Sequence, residues 1–171
     1  MNIQDYVIDY AQIEDLSVIV DIYNSTVSGR VVTADLEPVS VESRHSWFLD
    51  HDDHHRPLWV MKSVGKVIAW MSFQSFYGRA AYNGTAEISI YVSEEYRGVG
   101  IGSILIKKAI SECPRLGICN LVGFVFGHNE GSLRLLTKNG FKQWGYLPGV
   151  AVLDNVDRDL VIVGLKIMTE S

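Results

Sequence analysis

Apolar positions along the first fifty residues change from strand-like alternation to helical spacing. Tyr6 to Tyr10 reads as a short strand, and Leu16, Ile19, Val20, Tyr23 and Val27 then recur at helical intervals behind Asp15. That spacing predicts an amphipathic first helix whose acidic start suits the positive end of its dipole. Ser40 is placed to cap a second helix running through Trp47 and Phe48. Between the two, Gly29-Arg30-Val31-Val32-Thr33 has no period and is read as an irregular segment with room to line a pocket.

From Leu58 onward the pattern shortens. Leu58 to Ser63 and Lys66 to Phe73 flank a Val64-Gly65 turn and predict a hairpin of half-buried strands. A loop rich in Tyr, Gly and Asn, Tyr77 to Gly84, feeds a strand from Ala86 to Val92, and a helix after it turns Ile104, Leu105 and Ile110 towards the sheet. Asn120 to Phe126 predicts another strand, and Glu130 to Lys138 another helix, stopped by Asn139-Gly140. Two closing strands are expected near Phe141 to Tyr146 and Leu160 to Ile167. With no repeat or linker in this order, the expectation is an α+β fold: a central mixed sheet with helices on both faces.

Composition narrows the class. The 171 residues suit one domain, 1–171, with a substantial core, and 47% hydrophobic content is ordinary for a globular chain. Leu160-Val161-Ile162-Val163 is too short a run to cross a bilayer, and Asp5 and Asp9 interrupt any export-type start, so a cytoplasmic protein is expected. Cys113 and Cys119 are read as free thiols. A net charge of −5 with dispersed Lys and Arg argues against a nucleic-acid partner and for a small-molecule one.

The candidate chemistry starts at Arg97-Gly98-Val99-Gly100-Ile101-Gly102-Ser103, where a β-branched strand passes through a glycine-dense turn into a helix. Three glycines at alternate positions let an anion approach the backbone, and a helix start offers unpaired N–H groups. A Walker A loop would need Lys-Ser or Lys-Thr after the last glycine, where Ser103-Ile104 stands. A dinucleotide fingerprint would put Ser103 or Leu105 at its third glycine and lacks a preceding βαβ unit. What remains is a phosphate cradle of another type, or a tight connection without a ligand.

Other residues carry paired readings. Glu87 shares one strand face with Ser89 and Tyr91, as a base in a cleft or as a solvated edge carboxylate. Asn129, three residues before Ser132, is a helix cap, a ligand contact, or both. His51-Asp52-Asp53-His54-His55 has metal-binding residue types but is read as a solvated turn, since adjacent residues wrap one ion poorly and only His128 lies elsewhere. Phe76 to Tyr82 surrounds Arg79 with aromatics, as a packed loop or as a guanidinium clamp for an acidic group.

Together these pieces resemble the GNAT acyl-CoA N-acyltransferases, and more narrowly their phosphinothricin/methionine sulfoximine branch. The likeness rests on Ile22-Tyr23-Asn24 with Val27 and Thr33, Pro38-Val39-Ser40 with Arg44 and Trp47, Arg79 and Tyr82 ahead of Glu87, Arg97 to Gly102, and Asn129 with Ser132 and Gly140-Phe141. The resemblance implies a GNAT-like, mainly antiparallel sheet and an N-acetyltransferase using acetyl-CoA, without metal, on a small amino-acid-like amine. It further implies backbone pairing of Ile90, Tyr91 and Val92 with pantetheine. A pyrophosphate site at Arg97 and Gly98 to Ser103, and contacts from Asn129 and Ser132, belong to the same likeness. Glu87 would be the base, and Arg79, Tyr82 and Ser89 would face the acceptor. Where many such enzymes carry Tyr or His as acid, this chain has Leu136. Detoxification and a homodimer are implied by the same likeness. The rival readings are a protein N-terminal or lysine acetyltransferase and a non-catalytic acyl-CoA sensor.

Overall fold

The computed structural model describes residues 5–168. Seven strands, β1 (Tyr6–Tyr10), β2 (Leu58–Ser63), β3 (Lys66–Ser75), β4 (Thr85–Val92), β5 (Asn120–Phe126), β6 (Lys142–Leu153) and β7 (Val156–Lys166), form one sheet in the order β1-β2-β3-β4-β5-β7-β6. Every pairing is antiparallel except β4 with β5. The α-helices are α1 (Leu16–Asn24), α2 (His45–Leu49), α3 (Ile101–Glu112) and α4 (Glu130–Lys138). The expected mixed, mainly antiparallel sheet with helices on both faces is the observed one.

The two faces have separate cores because side chains alternate along each strand. Leu105, Ile106 and Ala109 of α3 and Leu136 of α4 pack on one face against Met71, Phe73, Ile88, Leu121 and Val163. On the other face Ile19 and Ile22 of α1 meet Leu58, Val60 and Trp70, with Trp47 and Phe48 of α2 against them. Trp70 Nε1 donates to the Ile19 carbonyl at 3.1 Å, which satisfies a buried indole and fixes α1 over β3.

Predicted elements differ from observed ones mainly at their ends. The first helix closes at Asn24, and Val27 is buried from the turns that follow. Ser40 Oγ accepts from the Ser43 N–H at 3.1 Å, but the segment it caps is a 3₁₀ turn, Glu42–Arg44, before the five-residue α2. The closing strands are longer than expected. They form a hairpin around Asp154-Asn155, both at positive φ, and a register shift between Leu147 and Ala151 absorbs Pro148-Gly149. Edge strand β6 tolerates the proline because one side of its ladder is unpaired.

Candidate active site

Only three residue pairs join β4 to β5: Thr85 with Asn120, Ala86 with Leu121, and Glu87 with Val122. Beyond Glu87 the strands part, so β4 from Ile88 to Val92 keeps its β3 partner and leaves alternate N–H and C=O groups facing a gap. A parallel pair that separates in this way makes a slot with free main-chain hydrogen-bonding groups on its edge. The slot opens into a cleft of about 700 Å³ lined by Ile88, Ile90, Tyr91 and Val92 of β4, Gly123 and Phe124 of β5, and Val31 and Val32 of the irregular segment after α1.

At the end of β4 the cleft meets the glycine turn. Gly98 (φ 75°) and Gly100 (φ 94°) both adopt left-handed backbone, and Gly100 is the N-cap of α3 with no side-chain cap. Nothing lies within 4 Å of a Cβ built on either glycine, so the space above the turn is open. The first N–H groups of α3 are therefore uncapped and accessible, the arrangement that binds phosphate oxygens. At Gly102 a Cβ would sit 2.6 Å from Leu135 Cδ2 of α4, so a larger residue there makes that side chain shift.

The expected site residues fall into three groups. Glu87, Ile90, Tyr91, Val92, Arg97, Gly98, Gly100, Ile101, Gly102, Asn129, Ser132 and Ser89 all line the main cleft. Arg97 Nε is also tied back to the Val92 carbonyl at 3.1 Å. Val99 and Ser103 belong to the glycine turn and first helical turn without lining the cleft, and Ser103 Oγ accepts from Asn139 Nδ2 at 3.1 Å. Arg79 and Tyr82 lie on an exposed turn and line neither this cleft nor its smaller neighbour. There Phe76, Tyr77 and Tyr82 pack on one another, with Phe76 to Tyr82 at 5.6 Å between ring centres.

Asn129 is the cap that the spacing predicts: buried, its Oδ1 accepts from the Ser132 N–H at 3.1 Å. It also lines the cleft, so cap and cleft wall coincide. Leu136 lines the same cleft and is 8% exposed, which puts an apolar side chain in its wall. The His51–His55 cluster is organised by Asp52, whose Oδ1 accepts from the His54 and His55 N–H groups at 2.9 Å each. Cys113 is buried and Cys119 exposed, and both are free.

Glu87 stands where two cavities meet. It lines the main cleft and a second one of about 200 Å³ on the α1 side, together with Ser89, Tyr91, Trp70, Tyr23 and Arg44. Burial pushes its carboxyl above the ordinary carboxylate range. A buried carboxylate has a stronger claim on a proton than an exposed one, which suits it to receive one from an ammonium. Sequence reasoning gave Arg44 no part in the site. Only the tertiary structure brings it here, through paired bonds between the Asn24 side chain and the Val39 main chain (2.8 and 2.9 Å) that dock the segment after α1.

Comparison with known proteins agrees with this geometry. A model described as "Acetyltransferase (GNAT) family" matches residues 19–141. The "Putative phosphinothricin acetyltransferase YwnH" of Bacillus subtilis (strain 168) is 50% identical over 158 residues, covering 92% of this chain and 96% of that protein. The L-methionine sulfoximine/L-methionine sulfone acetyltransferase of Pseudomonas aeruginosa is 28% identical over 141 residues, 82% of each. The crystal structure of a GNAT superfamily phosphinothricin acetyltransferase from Sinorhizobium meliloti in complex with AcCoA superposes with a TM-score of 0.89 at 26% identity. It covers 95% of this chain and 88% of that one. No described helix is long and apolar enough to cross a membrane.

Proposed function

This chain belongs to the acetyltransferase (GNAT) family, and from that membership we propose that it moves the acetyl group of acetyl-CoA onto the amino group of a small amino acid of the phosphinothricin or methionine sulfoximine type. The observation that carries the reading is the parting of β4 from β5 immediately after Glu87, beside an uncapped α3 N-terminus at Gly100. The free edge of β4 from Ile88 to Val92 suits the amide-bearing pantetheine arm. Gly98 to Ser103 with Arg97 suit the pyrophosphate, with Asn129 and Ser132 on the opposite wall.

Glu87 takes the ammonium proton, because an amine has a lone pair for attack only when neutral. The neutral amine then attacks the thioester carbonyl directly, and a main-chain N–H from the free edge of β4 steadies the charge developing on its oxygen. Leu136 supplies no acid, and none is required: a thiol of pKa about 8.5 departs as thiolate. N-acetylation removes the positive charge of an amino acid and so changes what can bind it, and detoxification is the physiological role this chemistry suits. We assign the protein to the cytoplasm as a homodimer, the latter supported by the exposed Trp144, Leu147, Val150 and Val152 of edge strand β6.

The test is thiol release from acetyl-CoA on adding methionine sulfoximine, methionine sulfone or phosphinothricin, against peptides with free N-termini or lysines. Release with the free amino acids supports the reading. Release with peptides alone makes it a protein acetyltransferase, and acetyl-CoA binding with no release makes it a sensor.

A further inference from the structure

The cavity on the α1 side of Glu87 has a chemistry of its own. Its floor is two cross-strand pairs, Ser72 opposite Ser89 and Gln74 opposite Glu87, all four pointing to one face. Ser72 is 1% exposed, and its Oγ has no hydrogen-bond partner. A buried hydroxyl without a partner costs free energy comparable to a lost hydrogen bond, so a group that lines a cavity in this state awaits a ligand or a water. The register puts the Trp70–Tyr91 pair beyond Ser72–Ser89, and these rings stack at 4.6 Å.

Past that stack stands Arg44, the one cation among the described residues lining this cavity. Its guanidinium lies 4.8 Å from the Tyr23 ring centre and 5.9 Å from that of Trp47. Nη2 donates to Asp35 at 3.1 Å, which anchors the group. Asp35 is held in turn by the Tyr23 hydroxyl, which also meets Thr33 Oγ1 at 2.5 Å. A guanidinium has five N–H donors in a fixed fork, and this anchor uses one of them. The remainder are available to an anion.

We propose that this cavity receives the acceptor as a zwitterionic amino acid, with Arg44 pairing with its carboxylate and Ser72 donating a hydrogen bond to the same molecule. The inference rests on the acetyl-transfer reading and adds to it the group that selects the substrate. The cavity of about 200 Å³ has room for a free amino acid, and Arg44, anchored on Asp35 by one of its donors, is the group in it suited to a carboxylate. An amine without a carboxylate would strip water from the Arg44 fork and put nothing in its place.

The experiment compares methionine sulfone with its carboxamide as acceptors for the wild type and for Arg44→Gln, Arg44→Lys, Arg79→Gln and Ser72→Ala. The wild type should prefer the acid by at least about tenfold in kcat/KM, the size of one charge-assisted contact. In Arg44→Gln the KM for the acid should rise by about tenfold or more. The KM for acetyl-CoA should hold, and the acid-over-amide preference should fall to within about twofold. Arg44→Lys should recover part of that preference and Arg79→Gln should retain it. Ser72→Ala, which leaves charge and volume nearly intact, should raise the KM for the acid alone.

A merely structural Arg44 would lower activity towards both acceptors and leave their ratio alone. A wild type indifferent to the carboxylate overturns the proposal without any variant, and so does an Arg44→Gln enzyme with the wild-type ratio. A ratio lost in Arg79→Gln instead moves the role to Arg79. Failure of the wild type to acetylate any amine overturns the acetyl-transfer reading itself, and this proposal with it.

Discussion

Replacing Gly100 by alanine separates the phosphate cradle from the stability of the fold. Gly100 sits at φ 94°, and no protein atom lies within 4 Å of the Cβ that alanine would bring. The fold therefore suffers no clash, only the cost of holding an L-residue in left-handed backbone, about 1–2 kcal/mol. The ligand meets a different obstacle. The methyl group occupies the open side of the turn and keeps a phosphate from closing on the first N–H groups of α3. Loss of two such contacts at about 1.5–3 kcal/mol each weakens acetyl-CoA binding by roughly 10² to 10⁴-fold. Calorimetric titration with acetyl-CoA reads the second effect, and urea denaturation of the free protein reads the first. A folded Gly100→Ala protein that binds acetyl-CoA like the wild type refutes the assignment of the cradle, because the methyl group on the open side of the turn then meets no phosphate and the left-handed backbone alone explains the glycine.

Glu87→Gln should lower kcat on the order of 10²-fold near neutral pH with acetyl-CoA affinity unchanged, and the deficit should shrink at high pH, where the amine arrives neutral; full activity at pH 7 would put the base elsewhere. The same variant tests the burial of this carboxyl. Its pKa is raised in the folded state, so ionising it opposes folding as pH climbs from the unfolded value through the folded one. Glu87→Gln should therefore melt higher than wild type at pH 7, with the gap closing below about pH 4, where the carboxyl is protonated in both states. Asn129→Ala should lose about 1 kcal/mol of stability with the cap, and Asn129→Ser should restore it; acetyl-CoA affinity that stays low in the serine variant assigns the amide nitrogen to the ligand, and recovery of both makes Asn129 a cap alone. With Leu136 in place of an acid, kcat/KM should rise with pH to a plateau, and a falling limb below about pH 9 would require an acid group in the cleft.

What could be read without coordinates is what local chemistry dictates. Gly98 and Gly100 announce a turn that only glycine takes comfortably, and alternation from Glu87 to Tyr91 puts a carboxylate on the face of Ser89 whatever lies opposite. Asn129 and Ser132 are one helical turn apart, so their hydrogen bond follows from spacing. The length of β6 was hidden because Pro148-Gly149 looks like an end, whereas a bulge carries the strand past it to the Asp154-Asn155 turn.

Arg44 was hidden for a deeper reason: its place depends on where a segment without periodicity is held. The Asn24 side chain fixes Val39 by its main chain, the Arg30 side chain reaches Asp154 at the hairpin tip at 2.9 Å, and His128 Nε2 bonds the Arg30 carbonyl at 2.7 Å. Each contact joins residues distant in sequence, and none leaves a mark on local patterning. The same segment supplies Val31 and Val32 to the main cleft and leads on to Arg44 in the smaller one. The two cavities are thus set by one docked loop and meet at one carboxylate, Glu87. A change in this loop therefore reaches both cavities at once, through Val31 and Val32 on one side and Arg44 on the other.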